Sequence, residues 1–152
     1  MRTRTFALTL AMTAAASADL YSLEFTAMAD FIGPVTGQLT LDLDEFGAGS
    51  FLGTVGTNFG PAVADGTAAF APTLTSGALD GTLDFGPLGS YNLILNFSPA
   101  VDPAVLAGTL TGPDGPMVSL AIFMDGWSIT AVPAPGALAL LGLAGLGRRR
   151  RA

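Results

Sequence analysis

The chain has 152 residues, half of them hydrophobic, and it contains no cysteine and no histidine. It carries twelve acidic and six basic residues, and its formal net charge at pH 7 is −6. This composition excludes a disulfide framework, thiol chemistry and histidine-dependent metal binding. The high hydrophobic content also excludes an intrinsically disordered chain.

The N-terminus has the pattern of a secretory signal peptide. Arg2 and Arg4 form a basic start, an uncharged stretch runs from Phe6 to Ala15, and Ala16-Ser17-Ala18 follows. Small residues at Ala16 and Ala18 are typical of a cleavage site of the A-x-A kind. We therefore predict a signal peptide at residues 1–18, recognised by the secretory translocon and removed by signal peptidase, and a mature chain that begins at Asp19.

The distribution of charge predicts a topology. All basic residues are arginines and lie in residues 2–4 and 148–151, whereas all acids lie between Asp19 and Asp125. Positive charge stays on the cytoplasmic side of a membrane, so residues 19–132 are expected to be exported. A segment with acids and no cation also repels nucleic acid, so nucleic acid is excluded as a partner.

Residues 19–132 show the alternation of half-buried β-strands. The clearest runs are Gln38–Asp44 with three leucines on one face, Tyr91–Phe97, and Val118–Met124. Weaker runs occur at Tyr21–Met28, Ser50–Val55, Ala78–Phe85, Val105–Thr111 and Trp127–Ala131. Glycine, proline and aspartate separate these runs, as in antiparallel sheets with tight turns.

About eight short strands predict one all-β domain, an antiparallel β-sandwich or jelly roll. Residues Gly56–Pro72 are rich in glycine and alanine and alternate weakly. We predict a long loop there, with a short edge strand near Thr67–Phe70. A turn is expected at Thr111–Pro116, where Pro-Asp-Gly favours a type I turn.

Few residues of this domain offer chemistry. Asp42, Asp44 and Glu45 form the densest acidic group and are weak candidates for a Ca²⁺ site, but no EF-hand loop pattern accompanies them. A solvated strand face explains them better, and no metal or cofactor is predicted. Serine has no partner base in a domain without histidine or lysine, so we predict that the protein is not an enzyme.

Aromatic residues allow one further hypothesis. Trp127, Tyr21 and Tyr91 would suit a sugar-stacking platform if they lay on one surface. A single tryptophan in a small β domain more often lies in the core or at its rim, and we favour that interpretation.

The C-terminus has three parts in a fixed order. Val132-Pro133-Ala134-Pro135 is followed by an apolar segment at residues 136–147, and then by Arg148, Arg149, Arg150 and Arg151. This arrangement resembles the PEP-CTERM sorting signal of exosortase substrates in Gram-negative bacteria, although Pro-Ala-Pro stands where that family has Pro-Glu-Pro. We assign the sorting signal to residues 133–152, with the arginine cluster as the cytoplasmic stop.

The resemblance implies a route rather than an activity. It implies export, transient insertion of the C-terminal segment in the inner membrane, and cleavage near the proline motif by an exosortase. Delivery to the cell surface or the extracellular matrix of a biofilm, in contact with extracellular polysaccharide, would follow. For residues 19–132 we expect a non-catalytic structural or interaction module, and the alternative is a secreted module that binds carbohydrate or Ca²⁺.

Overall fold

The computed structural model describes residues 19–99, 106–112 and 119–133. Eight strands lie within these ranges: β1 (Asp19–Ala29), β2 (Gly33–Leu43), β3 (Ala48–Thr57), β4 (Gly60–Phe70), β5 (Gly77–Asp84), β6 (Ser90–Phe97), β7 (Leu106–Thr111) and β8 (Ser119–Ala131). One turn of 3₁₀ helix, Gly86–Leu88, lies between β5 and β6.

The strands form a closed antiparallel barrel in which each strand pairs with its neighbour in the chain. Pairing of β1 with β8 closes the barrel, with Tyr21 opposite Ala131 and Leu23 opposite Ile129. The predicted all-β domain is therefore confirmed, but the predicted sandwich or jelly roll is wrong. Alternation does not separate these folds, because both direct every second side chain to the interior.

The alternation itself is confirmed in the strongest runs. Leu39, Leu41 and Leu43 of β2 are buried, and so are Leu93, Leu95 and Phe97 of β6. Polar residues such as Gln38, Thr40 and Asp42 lie on the outer face. β2 thus directs apolar side chains to the interior and polar side chains to the surface.

The predicted loop at Gly56–Pro72 is wrong. Most of it belongs to β4, which pairs with β3 from Ala48–Ala69 to Thr57–Gly60. Its inward residues Ala62, Ala64 and Ala68 are buried but small. In this segment alanine alternates with other small residues, so the two faces differ little in hydrophobicity. The strand was therefore not recognised from the sequence.

The two runs predicted around Met124 and Trp127 form one strand, β8. A shift in register between β1 and β8 leaves Asp125 as an extra residue, because Gly126 pairs with Thr26 and Met124 with Ala27. Such a bulge moves the inward positions from even to odd residue numbers. Val118 and residues 113–116 of the turn predicted at Thr111–Pro116 lie outside the described residues.

Large rings inside the barrel lie against glycines on the neighbouring strand. Phe25 is paired with Gly37, and Phe70 with Gly77. A Cβ atom on either glycine would overlap the phenylalanine ring. Phe51 is paired with Gly66 of β4, where a Cβ atom would lie 2.9 Å from Cε1 of the ring. The interior of an eight-stranded barrel is just wide enough for side chains, so these glycines provide the room for the rings.

The interior is filled and apolar. All buried side chains among the described residues are hydrophobic, and Leu23, Leu41 and Leu79 are fully inaccessible. A void of about 20 Å³ lies within it, lined almost entirely by apolar side chains. A void of that size and polarity holds neither a ligand nor a stable water.

We predict that Leu41→Asp and Leu95→Asp each prevent folding, because each places an unpaired carboxylate in this apolar interior. The control is Leu52→Asp, since Leu52 is 61% exposed on the outer face of β3. Circular dichroism should show strand structure for the control and its loss for the two core variants. Folded Leu41→Asp protein would contradict the closed apolar core.

Gly37→Ala should destabilise the barrel by about 1–3 kcal/mol, because its methyl group overlaps the ring of Phe25. Phe25→Leu should relieve part of this overlap, so the double variant should be more stable than the sum of the single effects predicts. Urea unfolding of the parent chain, the two single variants and the double variant measures this coupling. Strict additivity would show that the ring does not press on Gly37.

Candidate functional site

One end of the barrel carries an apolar cleft of about 330 Å³, which we call the mouth. The turns between β1 and β2 and between β3 and β4, and the connection between β5 and β6, lie at this end. Seven of its eight lining residues have purely apolar side chains, and Tyr91 is the exception. The lining consists of Phe31, Ile32, Phe59, Phe85, Leu88, Tyr91, Leu110 and Leu120.

The β1–β2 turn directs one side chain out and the next one in. Phe31 has a left-handed backbone with φ of 62°, and its side chain is 92% exposed. Ile32 is buried, and its carbonyl accepts a hydrogen bond of 3.0 Å from Nδ2 of Asn58 in the β3–β4 turn. The backbone N–H of Asp30 donates to the carbonyl of Ala121 in β8. These bonds hold an unfavourable backbone conformation in place.

The β3–β4 turn presents Phe59 in a similar way. The hydroxyl of Thr57 donates to the carbonyl of Gly60 at 2.9 Å and accepts a bond from the N–H of Phe59 at 3.1 Å. The Phe59 side chain is 63% exposed. The turn therefore supports the ring with local hydrogen bonds, while little protein covers the ring.

The β5–β6 connection forms the third wall. Asp84 accepts a bond of 2.8 Å from the N–H of Gly86, and the N–H of Phe85 donates to the carbonyl of Gly89. The rings of Phe85 and Tyr91 meet edge to face, with centroids 5.6 Å apart. Leu88 is 61% exposed beside them.

Ile32 and Leu110 separate the mouth from the interior. Both residues line the mouth, and both also line the small interior void. Each is largely buried, at 8% and 2% exposure respectively. The mouth is therefore a shallow site above a filled barrel and does not continue into it.

The opposite end of the barrel is more polar. A depression of about 220 Å³ is lined there by Asp19, Tyr21, Leu43, Asp44, Glu45, Gly47, Ala71, Pro72 and Leu74. One carboxylate oxygen of Asp44 accepts bonds of 2.9 Å from the N–H groups of both Phe46 and Ala48. This carboxylate thus stabilises the β2–β3 turn.

The weak metal candidates do not come together as a set. Asp42 lies on the outer face of β2, Asp44 bonds its own turn, and Glu45 is exposed within that turn. In residues 19–99, 106–112 and 119–133, no group of three acidic, histidine or cysteine side chains could hold a metal ion.

The aromatic residues of the sugar-platform hypothesis are also separated. The indole N–H of Trp127 donates to the Ser98 carbonyl at 3.0 Å, and its ring packs on Phe97 and Phe70. These contacts lie at the end of the barrel away from the mouth, where β4 and β6 end, whereas Tyr91 lines the mouth. Trp127 is partly buried at the core rim, as the favoured interpretation stated.

The predicted sorting residues fall mostly outside the described part of the chain. Val132 and Pro133 follow β8, and the N–H of Val132 donates to the carbonyl of Leu20 at 2.8 Å. Ala16, Ala18, Ala134, Pro135 and Arg148 to Arg151 are not among the described residues. No helix in the described ranges is long and apolar enough to cross a membrane.

Sequence reasoning did not identify the mouth. Its exposed residues Phe59 and Leu88 each stand between turn-forming residues, in Asn58-Phe59-Gly60-Pro61 and Gly86-Pro87-Leu88-Gly89, and Phe31 follows Asp30. A bulky apolar residue within a turn rich in glycine and proline could have indicated the mouth. Such a residue does not belong to a strand, so strand alternation does not direct its side chain to the interior. Comparisons with protein-family models, with curated proteins and with solved structures gave no match to this chain.

Charge at the surface has one sign. The described residues include ten carboxylates, all exposed, and no lysine, arginine or histidine. No ion pair between side chains can form among them, so each carboxylate interacts with solvent, hydrogen-bond donors or its like-charged neighbours. Mutual repulsion is expected to destabilise the compact state.

We predict that NaCl raises the urea midpoint at pH 7, because screening weakens this repulsion. Most of the gain should appear by 0.15 M, where the Debye length is about 8 Å. CaCl₂ at equal ionic strength should give the same midpoint as NaCl if no specific site exists. A lower urea midpoint with NaCl would contradict the repulsion argument. If CaCl₂ stabilised the protein by about 2.7 kcal/mol more than NaCl, a specific site would be indicated, with Ca²⁺ present at 100 times its Kd.

Proposed function

We propose that this chain is an exported bacterial protein, sorted and cleaved by an exosortase, whose barrel acts at the cell surface or in the extracellular matrix as a non-catalytic interaction module. The observation that carries the sorting proposal is the arrangement of charge. Every basic residue lies in residues 2–4 or 148–151, and each group flanks an apolar segment. Signal peptidase, the translocon and an exosortase are the partners that this arrangement requires.

The geometry of the barrel is compatible with cleavage at both ends. β1 begins at Asp19 and β8 ends at Ala131, and these two strands pair with each other. Removal of residues 1–18 and of a segment beyond Pro133 leaves all eight described strands intact. β1 begins and β8 ends at the end of the barrel away from the mouth, so both proposed cleavages would occur on that side.

The apolar tail favours a transient anchor. Ala134 to Gly147 is a run of 14 uncharged residues. As a helix it would extend about 21 Å, whereas the hydrocarbon core of a bilayer is about 30 Å thick. A segment this short spans only with local thinning of the bilayer or snorkelling of the arginines. Such an anchor suits a precursor that awaits cleavage.

The mouth favours binding over a purely structural role. Three exposed apolar side chains, Phe31, Phe59 and Leu88, converge there although burial would stabilise them. Tyr91 is the one lining residue with a polar group, which supplies little for catalysis. The alternative of a carbohydrate- or Ca²⁺-binding module stays a prediction from sequence, and the salt comparison above tests its calcium version.

Processing can be tested by intact-mass analysis. Expressed in a host with an exosortase, the secreted protein should lack residues 1–18 and the arginine cluster. In the same host without its exosortase, the protein should keep Arg148 to Arg151 and remain with the membrane fraction. Secreted protein that still contains these arginines in the exosortase-positive host would overturn the sorting proposal.

A further inference from the structure

We propose that the mouth binds a small apolar molecule that is uncharged or cationic, and that it rejects anionic molecules of the same size and shape. This inference rests on the barrel alone and does not depend on how the chain is sorted. It assigns a ligand class to the cleft formed by the turns of β1–β2 and β3–β4 and by the β5–β6 connection.

The size of the cleft matches small molecules. Its volume of about 330 Å³ lies at the lower end of ligand sites, which range from about 300 to 1,000 Å³. An apolar cavity of about 150 Å³ is enough to hold benzene. The mouth therefore has room for about two benzene-sized groups.

The walls of the cleft are formed before any ligand arrives. Phe31 is held by bonds from its turn to β8 and to Asn58, and Phe59 by the hydroxyl of Thr57. Phe85 is held by its contact with Tyr91. Because these turns are already bonded, little conformational entropy is lost when a ligand covers the rings.

The chemistry of the lining selects an apolar ligand. Aromatic rings and leucine side chains form the walls of the cleft. Ile32 and Leu110 lie at its base and separate it from the barrel interior. A sugar would need several hydrogen bonds, and Tyr91 is the one lining residue with a polar side chain. A flat apolar molecule would bind most favourably here, because it would bury the apolar surface of Phe31, Phe59 and Leu88, which are all more than half exposed.

Charge selects against anions. Asp30 precedes Phe31 in the β1–β2 turn, and Asp84 precedes Phe85 in the β5–β6 connection. Both carboxylates are exposed, and the described residues offer no cation to pair with an anionic ligand. A carboxylate or sulfonate on the ligand would therefore meet repulsion without compensation, whereas a cationic group would be attracted.

The same argument disfavours larger occupants. Two barrels that met mouth to mouth would place the exposed acids Asp30 and Asp84 of each copy on the facing ends, and the described residues offer no cation to pair with them. An anionic lipid surface would be repelled in the same way. A small neutral or cationic molecule avoids both costs.

Two fluorescent probes with one ring skeleton test the proposal. N-phenyl-1-naphthylamine is uncharged, and 8-anilinonaphthalene-1-sulfonate adds a sulfonate to the same rings. Titrated into the full chain at neutral pH and low salt, the uncharged probe should bind saturably to one site per chain. The sulfonate probe should bind at least tenfold more weakly.

Matched variants locate the site. Phe31→Ala combined with Phe59→Ala should weaken binding of the uncharged probe at least tenfold. The control is Phe46→Ala, which removes a ring that is 75% exposed in the β2–β3 turn at the opposite end. This control should bind like the parent chain, and it carries the same apolar tail. Circular dichroism checks that all three proteins keep their strand spectrum, as expected for changes at exposed side chains.

Three results would overturn the proposal. Equal affinity for the two probes would show that charge does not select the ligand. Equal loss in Phe46→Ala, or no loss in the mouth variant, would show that the probe binds elsewhere, for example on the tail. Sedimentation that gives a dimer for the parent chain and a monomer for the mouth variant would show that a second copy occupies the mouth.

Discussion

The fit of large rings over glycine inside a narrow barrel is the constraint on which this structure depends. An eight-stranded barrel encloses just enough space for side chains, and every strand directs half of its residues into that space. Phe25, Phe51 and Phe70 fit because a neighbouring strand presents a glycine to each ring. Glycine in a strand costs conformational entropy and loses side-chain contact, and the ring that covers it restores much of that contact.

A filled interior determines where binding can occur. Phe97 links Phe25, Phe70 and Trp127 through ring contacts with centroids 5.3–5.9 Å apart, and Phe70 and Phe97 stand at the ends of β4 and β6, away from the mouth. Ile32 and Leu110 close the mouth end. The void of about 20 Å³ between them is too small for a ligand, so among the described residues the mouth is a more suitable place for one. At the mouth, apolar side chains from separate turns converge.

Sequence reasoning predicted the strands with strong contrast between faces and missed those without it. The leucines of β2 alternate with Gln38, Thr40 and Asp42, so their burial followed from the pattern. The alanines of β4 alternate with residues of similar size, so the strand was interpreted as a loop. The bulge at Asp125 divided β8 into two runs of opposite parity. Closure of the barrel depends on pairing between the first and last strands. Alternation within one strand does not indicate which strand it pairs with, so the closure could not be predicted.

The mouth shows a related limit of sequence patterns. Phe31 and Ile32 are adjacent and apolar, yet one is 92% exposed and the other 8%. Their difference arises from the left-handed backbone at Phe31 and from the hydrogen bond between the Ile32 carbonyl and Asn58, 26 residues later in the chain. No local pattern reveals that bond, because its partner lies in another turn.

Because the described residues contain no basic side chain, cohesion of the barrel comes from apolar burial and from the hydrogen-bonded strand ladder. Carboxylates contribute locally where they accept backbone N–H groups, as Asp44 and Asp84 do in their turns. Elsewhere they add repulsion that grows as salt is removed. The absence of cations among the described residues thus weakens the folded state, and the tight packing of rings over glycines has to offset that cost.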